Sequence, residues 1–402
     1  MCQEAFMGFG WTQNHVRPVG VDFGADSVKL LQVSDADPPE LLAAASESIP
    51  EEVRDDLNLR LDYFTEALRR LVREGQFKGR RAVLSIPAAH TFVQHVRLAK
   101  SDSAQLDDQI AAELQKQLGV DAACLVARHL PVGEVFTNGA ARHESICLVA
   151  ARQIVMQHVQ AARRAGLNVV GMYCEPLAVM EAFAHRFRRA GDEDRVTLFL
   201  DVGHRTTKAM IAHGKSLVFA KIIEVAGDQL ARAAAAVGQS ADAAAGQESG
   251  AGEAADGLTA AGAIEPCPVD PATAPTVAVA GTEVADRRGA EPTLELPAGA
   301  AAGEETEMLD SLVDELQMCI GYHASVFNQK PVQSAIFLGG EARRTERCAA
   351  IAQALRLPAQ VGDPLARLAR HADCKPPVGV DLRTPQPGWV VPLGLCLSKV
   401  SI

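Results

Sequence analysis

The sequence predicts an α/β fold of two duplicated halves with mixed sheets, each half offering a hairpin loop to a shared cleft. Three observations carry that expectation. Short apolar strands alternate with amphipathic helices along most of the chain. One eight-residue loop pattern occurs twice, each time between apolar strands, and an internal repeat decides architecture before any other signal. A single compositional break interrupts the alternation.

In order, Val19, Val21 and Phe23 alternate with Gly20, Asp22 and Gly24, the period of a strand, and 28–33 makes a second strand after a short turn. Leu61, Phe64, Leu68 and Leu71 recur at helical spacing, and Gly75 sits where the helix should stop. A strand at 82–86 ends at Pro87. Leu106, Ile110, Leu114 and Leu118 form one face of a helix closed by Gly119. Strands near 146–150 and 196–200 flank a helix ending at Gly166. Leu309, Leu312, Val313, Leu316, Ile320 and Phe327 mark a long helix leading into a strand at 334–338. Between about Arg232 and Glu305 the chain turns to Ala, Gly, Pro, Thr and acidic residues. Such a stretch cannot bury enough apolar surface to offset its ordering entropy, so a disordered insertion is expected.

Composition narrows the function. A net charge of -11, with no clustered basic face in the sequence, argues against a nucleic-acid binder. Nine cysteines occur without a C-x-x-C pair, which points to reduced cytosolic thiols rather than disulfides or a zinc site. The first residues lack the basic start and apolar run of a secretion signal, and no apolar run is long enough to span a bilayer. Membrane attachment is therefore expected through a partner, with no direct insertion.

The repeated loops read Asp22-Phe23-Gly24-Ala25-Asp26-Ser27-Val28-Lys29 and Asp201-Val202-Gly203-His204-Arg205-Thr206-Thr207-Lys208, both fitting D-x-G-x-x-[ST]-x-K. The chemistry suits a polyphosphate. Gly24 and Gly203 allow close backbone approach and positive φ, so successive N–H groups can cradle phosphate oxygens. Ser27 and Thr206 add hydroxyl donors, and Lys29 or Lys208 adds a positive charge. Asp22 and Asp201, each ending a strand, suit a magnesium ion met through its waters. A plain hairpin turn is the competing reading of either copy alone. His204 and Arg205 occupy middle positions of the second loop, where they could assist a phosphate, with solvent exposure the expected outcome. Glu175 follows a strand and opens a helix with Pro176 at its first position, as a helix-start charge or as a residue orienting a water. Gly339-Gly340 after an apolar strand lets backbone lie against a flat ring or sugar.

This order of elements resembles the actin-like ATPase superfamily. Within it the chain is similar to the PilM family of type IV pilus assembly proteins, relatives of the cell-division protein FtsA. The resemblance implies the actin-like ATPase fold with a nucleotide cleft and a small inserted α+β subdomain at 91–165. Residues 1–90 would begin half one, and 166–231 would end it and start half two. The insertion would occupy 232–305, where the family builds a subdomain over the nucleotide base, and 306–402 would complete half two. It also implies ATP or ADP with Mg2+ as cofactors, Gly339 and Gly340 at the adenosine, and Glu175 near the γ-phosphate as the catalytic candidate. The implied partner is the cytoplasmic tail of a PilN-like inner-membrane protein, with self-association and slow ATP hydrolysis left open. FtsA-type proteins end in an amphipathic membrane helix, and 394–402 carries none. A sugar or acetate kinase of the same fold is the alternative, and it would need a substrate-directed base that no additional acidic motif supplies. A related secretion-system assembly component is another.

Overall fold

The computed structural model describes residues 16–99, 103–137, 140–230, 304–327, 330–370 and 377–399. The insertion expected at 232–305 lies, up to residue 303, outside the described residues.

The first half opens with an antiparallel meander: β1 (Val19–Phe23), β2 (Ser27–Val33) and β3 (Glu40–Ser48). Helix α1 (Leu57–Glu74) follows, its first turn capped by Asp56, whose carboxylate accepts from the Asn58 and Leu59 N–H groups. Gly75 ends α1 as expected. It keeps a helical φ, while a Cβ there would lie 2.4 Å from the Phe77 ring. Strand β4 (Arg81–Ile86) then pairs parallel to β1.

Next come β5 (Thr91–Ala99), α2 (Ser103–Leu118), β6 (Leu125–Thr137) and β7 (Ala140–Ala151), which form a separate antiparallel sheet ordered β5-β7-β6. Helix α3 (Arg152–Arg164) returns to pack beside α1, with Ala161 and Ala162 buried in the core that α1 shares with the first sheet. Strand β8 (Asn168–Cys174) pairs parallel to β4, and α4 (Glu175–Phe183) leads toward the second half.

The second half repeats the path. Strands β9 (Val196–Val202), β10 (Thr207–His213) and β11 (Ser216–Ile223) form a meander. After α5 (Glu304–Val326), β12 (Ser334–Leu338) pairs parallel to β9; α6 (Thr345–Leu355) then leads to β13 (Ala359–Val361). Its sheet is ordered β11-β10-β9-β12-β13. The first sheet carries the matching run β3-β2-β1-β4-β8, with β14 (Ala369–Arg370) added at the β3 edge. The repeat seen in two loops thus extends to whole sheets.

The chain then crosses back as α7 (Val390–Leu397), which packs on α4 between the halves in a core that includes Ala178, Phe183, Phe199, Leu393 and Leu395. The two helices meet backbone to backbone. A Cβ on Gly394 would sit 1.8 Å from the Ala178 carbonyl oxygen.

The small sheet reaches the second half through a buried carboxylate. Glu144 on β7 accepts from Arg97 Nε (3.1 Å) and from the Tyr322 hydroxyl, and lies 3.2 Å from His95 Nδ1. His95 in turn stacks on Phe219 of β11. Burial alone would raise the Glu144 carboxyl, but its bonds to His95 and Tyr322 and the charge of Arg97 outweigh it and hold the group below its usual value. A depressed carboxylate stabilises the fold above its unfolded pKa, and that stability is lost as pH falls through the folded value. Glu144→Gln is therefore expected to cost about 2–3 kcal/mol at pH 7. Denaturant unfolding should show the gap to the wild type closing as pH drops below about 4.

Candidate functional site between the halves

Each repeated loop joins two strands in the same register. Asp22 pairs with Lys29 across β1 and β2, and Asp201 pairs with Lys208 across β9 and β10. A Cβ on Gly24 would lie 2.6 Å from the Ser27 carbonyl oxygen, and one on Gly203 would lie 3.0 Å from that of Thr206. Glycine is required for room in the first turn, and in the second a Cβ would be a tight fit. Neither residue adopts a positive φ, which corrects the conformational reason expected from sequence. The first loop is held by Arg60, whose Nη2 donates to the Gly24 carbonyl at 3.1 Å, and the second by Gly227, whose N–H donates to the Gly203 carbonyl at 3.1 Å.

Both loops face one cleft, whose floor is the start of α4 and α7. Asp22, Gly24, Lys29, Asp201, Gly203, Thr206, Lys208, Gly339, Gly340 and Glu175 all line it. Ser27 does not: it is buried, and its hydroxyl donates to Asp26 Oδ1 at 3.1 Å. Water-sized space in the cleft is about 100 Å³. Small-molecule sites run to roughly 300–1,000 Å³, so a whole nucleotide needs the cleft to widen.

Charge is organised unequally. Lys208 is buried and donates to Glu175 Oε2 at 2.7 Å, with Asp201 Oδ2 2.9 Å away. Burial would lower this ammonium, yet the two carboxylates overcome that and raise it well above its usual value. The other Glu175 oxygen accepts from the Ala88 N–H at 2.9 Å. Glu175 therefore joins the first half to Lys208 of the second. Lys29 lines the same cleft, and no carboxylate is hydrogen-bonded to it among the described residues. Asp22 Oδ1 accepts from Ser85 Oγ at 3.1 Å, and its carboxyl is pushed up to about 7 by burial and then by Glu175. Arg205 forms an ion pair with Asp55 of the first half, and it and His204 both line the cleft rather than facing solvent alone.

Gly339 combines two demands. Its φ is +88°, and a Cβ would fall 2.2 Å from the Val202 carbonyl oxygen and 2.5 Å from Asp201 Oδ1. Gly340 has open space where a Cβ would point. Sequence reasoning missed Ser85, Arg60 and Gly388. Ser85 had a signal, a lone hydroxyl inside an apolar strand; the other two reach the cleft only through tertiary folding.

The cleft residues fit a magnesium nucleotide. Asp22, Asp201 and Glu175 crowd hard oxygen donors around a single buried ammonium, and an added cation would relieve the repulsion felt by Asp22. No three His, Cys, Asp or Glu side chains among the described residues converge as a metal cage. Magnesium would keep most of its waters and meet Asp22 or Asp201, as it does in phosphate sites.

Two sheets of one strand order, hairpin loops converging on one cleft and a helix pair between the halves define the actin-like ATPase fold, here with an inserted small sheet. Over residues 20–253 the sequence matches the family described as type IV pilus assembly protein PilM. The chain belongs to that family. This supports a general part in pilus assembly and is in keeping with nucleotide binding.

Among solved structures, the PilM–PilN type IV pilus biogenesis complex is similar with a TM-score of 0.67 and 18% identity, over 95% of this chain and 98% of that one. At such identity the likeness concerns the fold. The ethanolamine utilization protein EutJ from Carboxydothermus hydrogenoformans is 13% identical over 95% of this chain and 89% of its own, with a TM-score of 0.44. The cytoplasmic domain of EpsL, from the type II secretion system of Vibrio cholerae, is 14% identical over 52% and 71%, with a TM-score of 0.35. No curated protein sequence matches the chain. Among the described residues no helix is long and apolar enough to cross a membrane.

Proposed function

We propose that the chain is an ATP- or ADP-binding scaffold of type IV pilus assembly. It works in the cytoplasm and is held at the inner membrane by the cytoplasmic tail of a PilN-like protein. The observation that carries the nucleotide reading is the pair of glycine hairpins, matched in Asp–Lys register and turned into one cleft. In this reading Lys29 and the backbone N–H groups of both loops hold the phosphates. Asp22 and Asp201 hold the waters of Mg2+, and the Gly339–Gly340 backbone lies against the adenosine. Bound magnesium would neutralise phosphate charge. Lys208 stays with Glu175 and Asp201 and keeps both carboxylates in place. The small sheet at 91–151 is the proposed tail-binding region, by groove or by addition of a strand at the β5 edge.

Asp22→Asn tests the site without unfolding it. A carboxyl raised to about 7 in the fold destabilises the fold progressively as pH rises from its unfolded value near 4 to that point. The variant is therefore expected to melt higher than the wild type at pH 8 without ligand. Isothermal titration should show magnesium-dependent ATP binding weakened about 10- to 100-fold. Undiminished affinity in that folded variant would remove the two-loop reading. The membrane reading is tested by flotation: the protein should ignore bare liposomes and float with liposomes displaying the partner tail.

A further inference from the structure

The helices that floor the first cleft also floor a second one at their other ends. Glu175, Val390 and Val391, at the starts of α4 and α7, line the first; Met180, Leu393 and Leu397, further along, line the second. The second cleft is bordered by the β2–β3 turn at 35–39 and by Lys215 in the β10–β11 turn. These turns lie at the opposite ends of β2 and β10 from the two glycine loops, so the second cleft opens on the far side of the sheets. It spans both halves, and its volume is about 910 Å³.

Its chemistry is two-sided. Met180, Phe187, Leu368, Leu393 and Leu397 give an apolar floor, and the rim carries a basic excess, five Lys and Arg side chains against Asp35, Asp37 and Glu181. Arg17 and Arg188 are paired with Asp35 (3.0 Å) and Asp37 (3.2 Å). Lys215, Arg367 and Lys399 are exposed, with no hydrogen-bonded acid among the described residues. A contiguous hollow adds Arg189 beside Arg367, together with Arg195, which lies 4.0 Å from Asp192. His185, between the two, is held below its usual pKa by burial and then by Arg367, which reports a positive local field. The concentration of cations stands out in a chain of net charge -11.

We propose that this second cleft docks an extended acidic peptide segment of a partner protein. Aliphatic side chains would occupy the floor, and carboxylates would meet Lys215, Arg367 and Lys399. The recess is what favours a peptide: a flat bilayer surface cannot follow a concave wall down to an apolar floor, whereas a chain with alternating side chains can present both faces. The proposal is independent of the nucleotide and membrane-tail readings.

The test titrates the full chain into a fluorescein-labelled peptide of about twelve residues, about 40 Å when extended, alternating glutamate with leucine. Fluorescence anisotropy should show saturable binding that weakens with salt, and no binding of the same peptide with lysine for glutamate. The exposed double variant Lys215→Glu/Arg367→Glu should melt like the wild type and bind the acidic peptide at least about tenfold more weakly. Equal binding of both peptides, or no effect of the double variant, would overturn the proposal. Vesicles of phosphatidylglycerol form the other arm. Sedimentation with them that the double variant loses, without peptide binding, would assign the patch to lipid and also overturn it.

Discussion

Lys208→Met is expected to destabilise the protein by about 3–5 kcal/mol at neutral pH, the effect of removing one partner from a buried ion pair. The substitution keeps the volume of the side chain and removes the only cation within hydrogen-bonding distance of both Glu175 and Asp201 among the described residues. Three acidic side chains, Asp22 included, would then share a buried region, with the Lys29 ammonium acting on Asp22 but none bonded to Glu175 and Asp201 among the described residues. Lys208 is one of the charges that hold the Asp22 carboxyl down, so its removal pushes that carboxyl further above its usual value. Protonation is easier at low pH, so the penalty should shrink as pH falls from 8 toward 5. Urea unfolding at several pH values measures it. A difference from the wild type that does not vary with pH would mean that Lys208 acts through packing alone.

Gly394→Ala should be more damaging still. The added methyl carbon would sit 1.8 Å from the Ala178 carbonyl oxygen and 2.8 Å from its Cα, both backbone atoms of α4. No rotamer change relieves such a contact; the helices themselves must separate. α4 and α7 occupy the core between the halves, so separation opens packing around Phe183, Phe199 and Leu395. A loss above about 4 kcal/mol, or failure to accumulate folded protein, is expected. The control is Gly340→Ala, which meets open space and should leave melting nearly unchanged. Calorimetry of the three proteins decides it.

How much of this was legible in the sequence depends on how local the cause is. The hairpin loops were legible because D-x-G-x-x-[ST]-x-K fixes its own length, and that length sets the Asp–Lys register in both halves. The helices from Leu57 to Glu74 and from Glu304 to Val326 were legible from spacing alone. Strand β3 was not, because Leu-Leu-Ala-Ala-Ala carries weak strand preference and is recruited by packing. Strand β6 was hidden by Pro131 and Gly133, tolerated because it lies at a sheet edge and its register shifts between them. The need for glycine at 394 comes from Ala178, more than two hundred residues earlier, and no window along the chain contains both. Glu175 and Lys208 are likewise brought together only by the two sheets. That explains why the sequence offered Lys208 as a phosphate contact, while the structure engages it with carboxylates.

The equivalence of Lys29 and Lys208 in register, set against their different surroundings, turns the molecule into its own control. The same edit, lysine to methionine, made at either copy alters an identical position of an identical motif. At residue 208 it should be read by a thermometer. At residue 29 it should leave melting within about 1 kcal/mol of the wild type and be felt only by an anion entering the cleft, as a loss in titration. The repeat supplies two matching parts; the neighbour at Glu175 ties one of them into the fold, and the proposed reading gives the other to an anion.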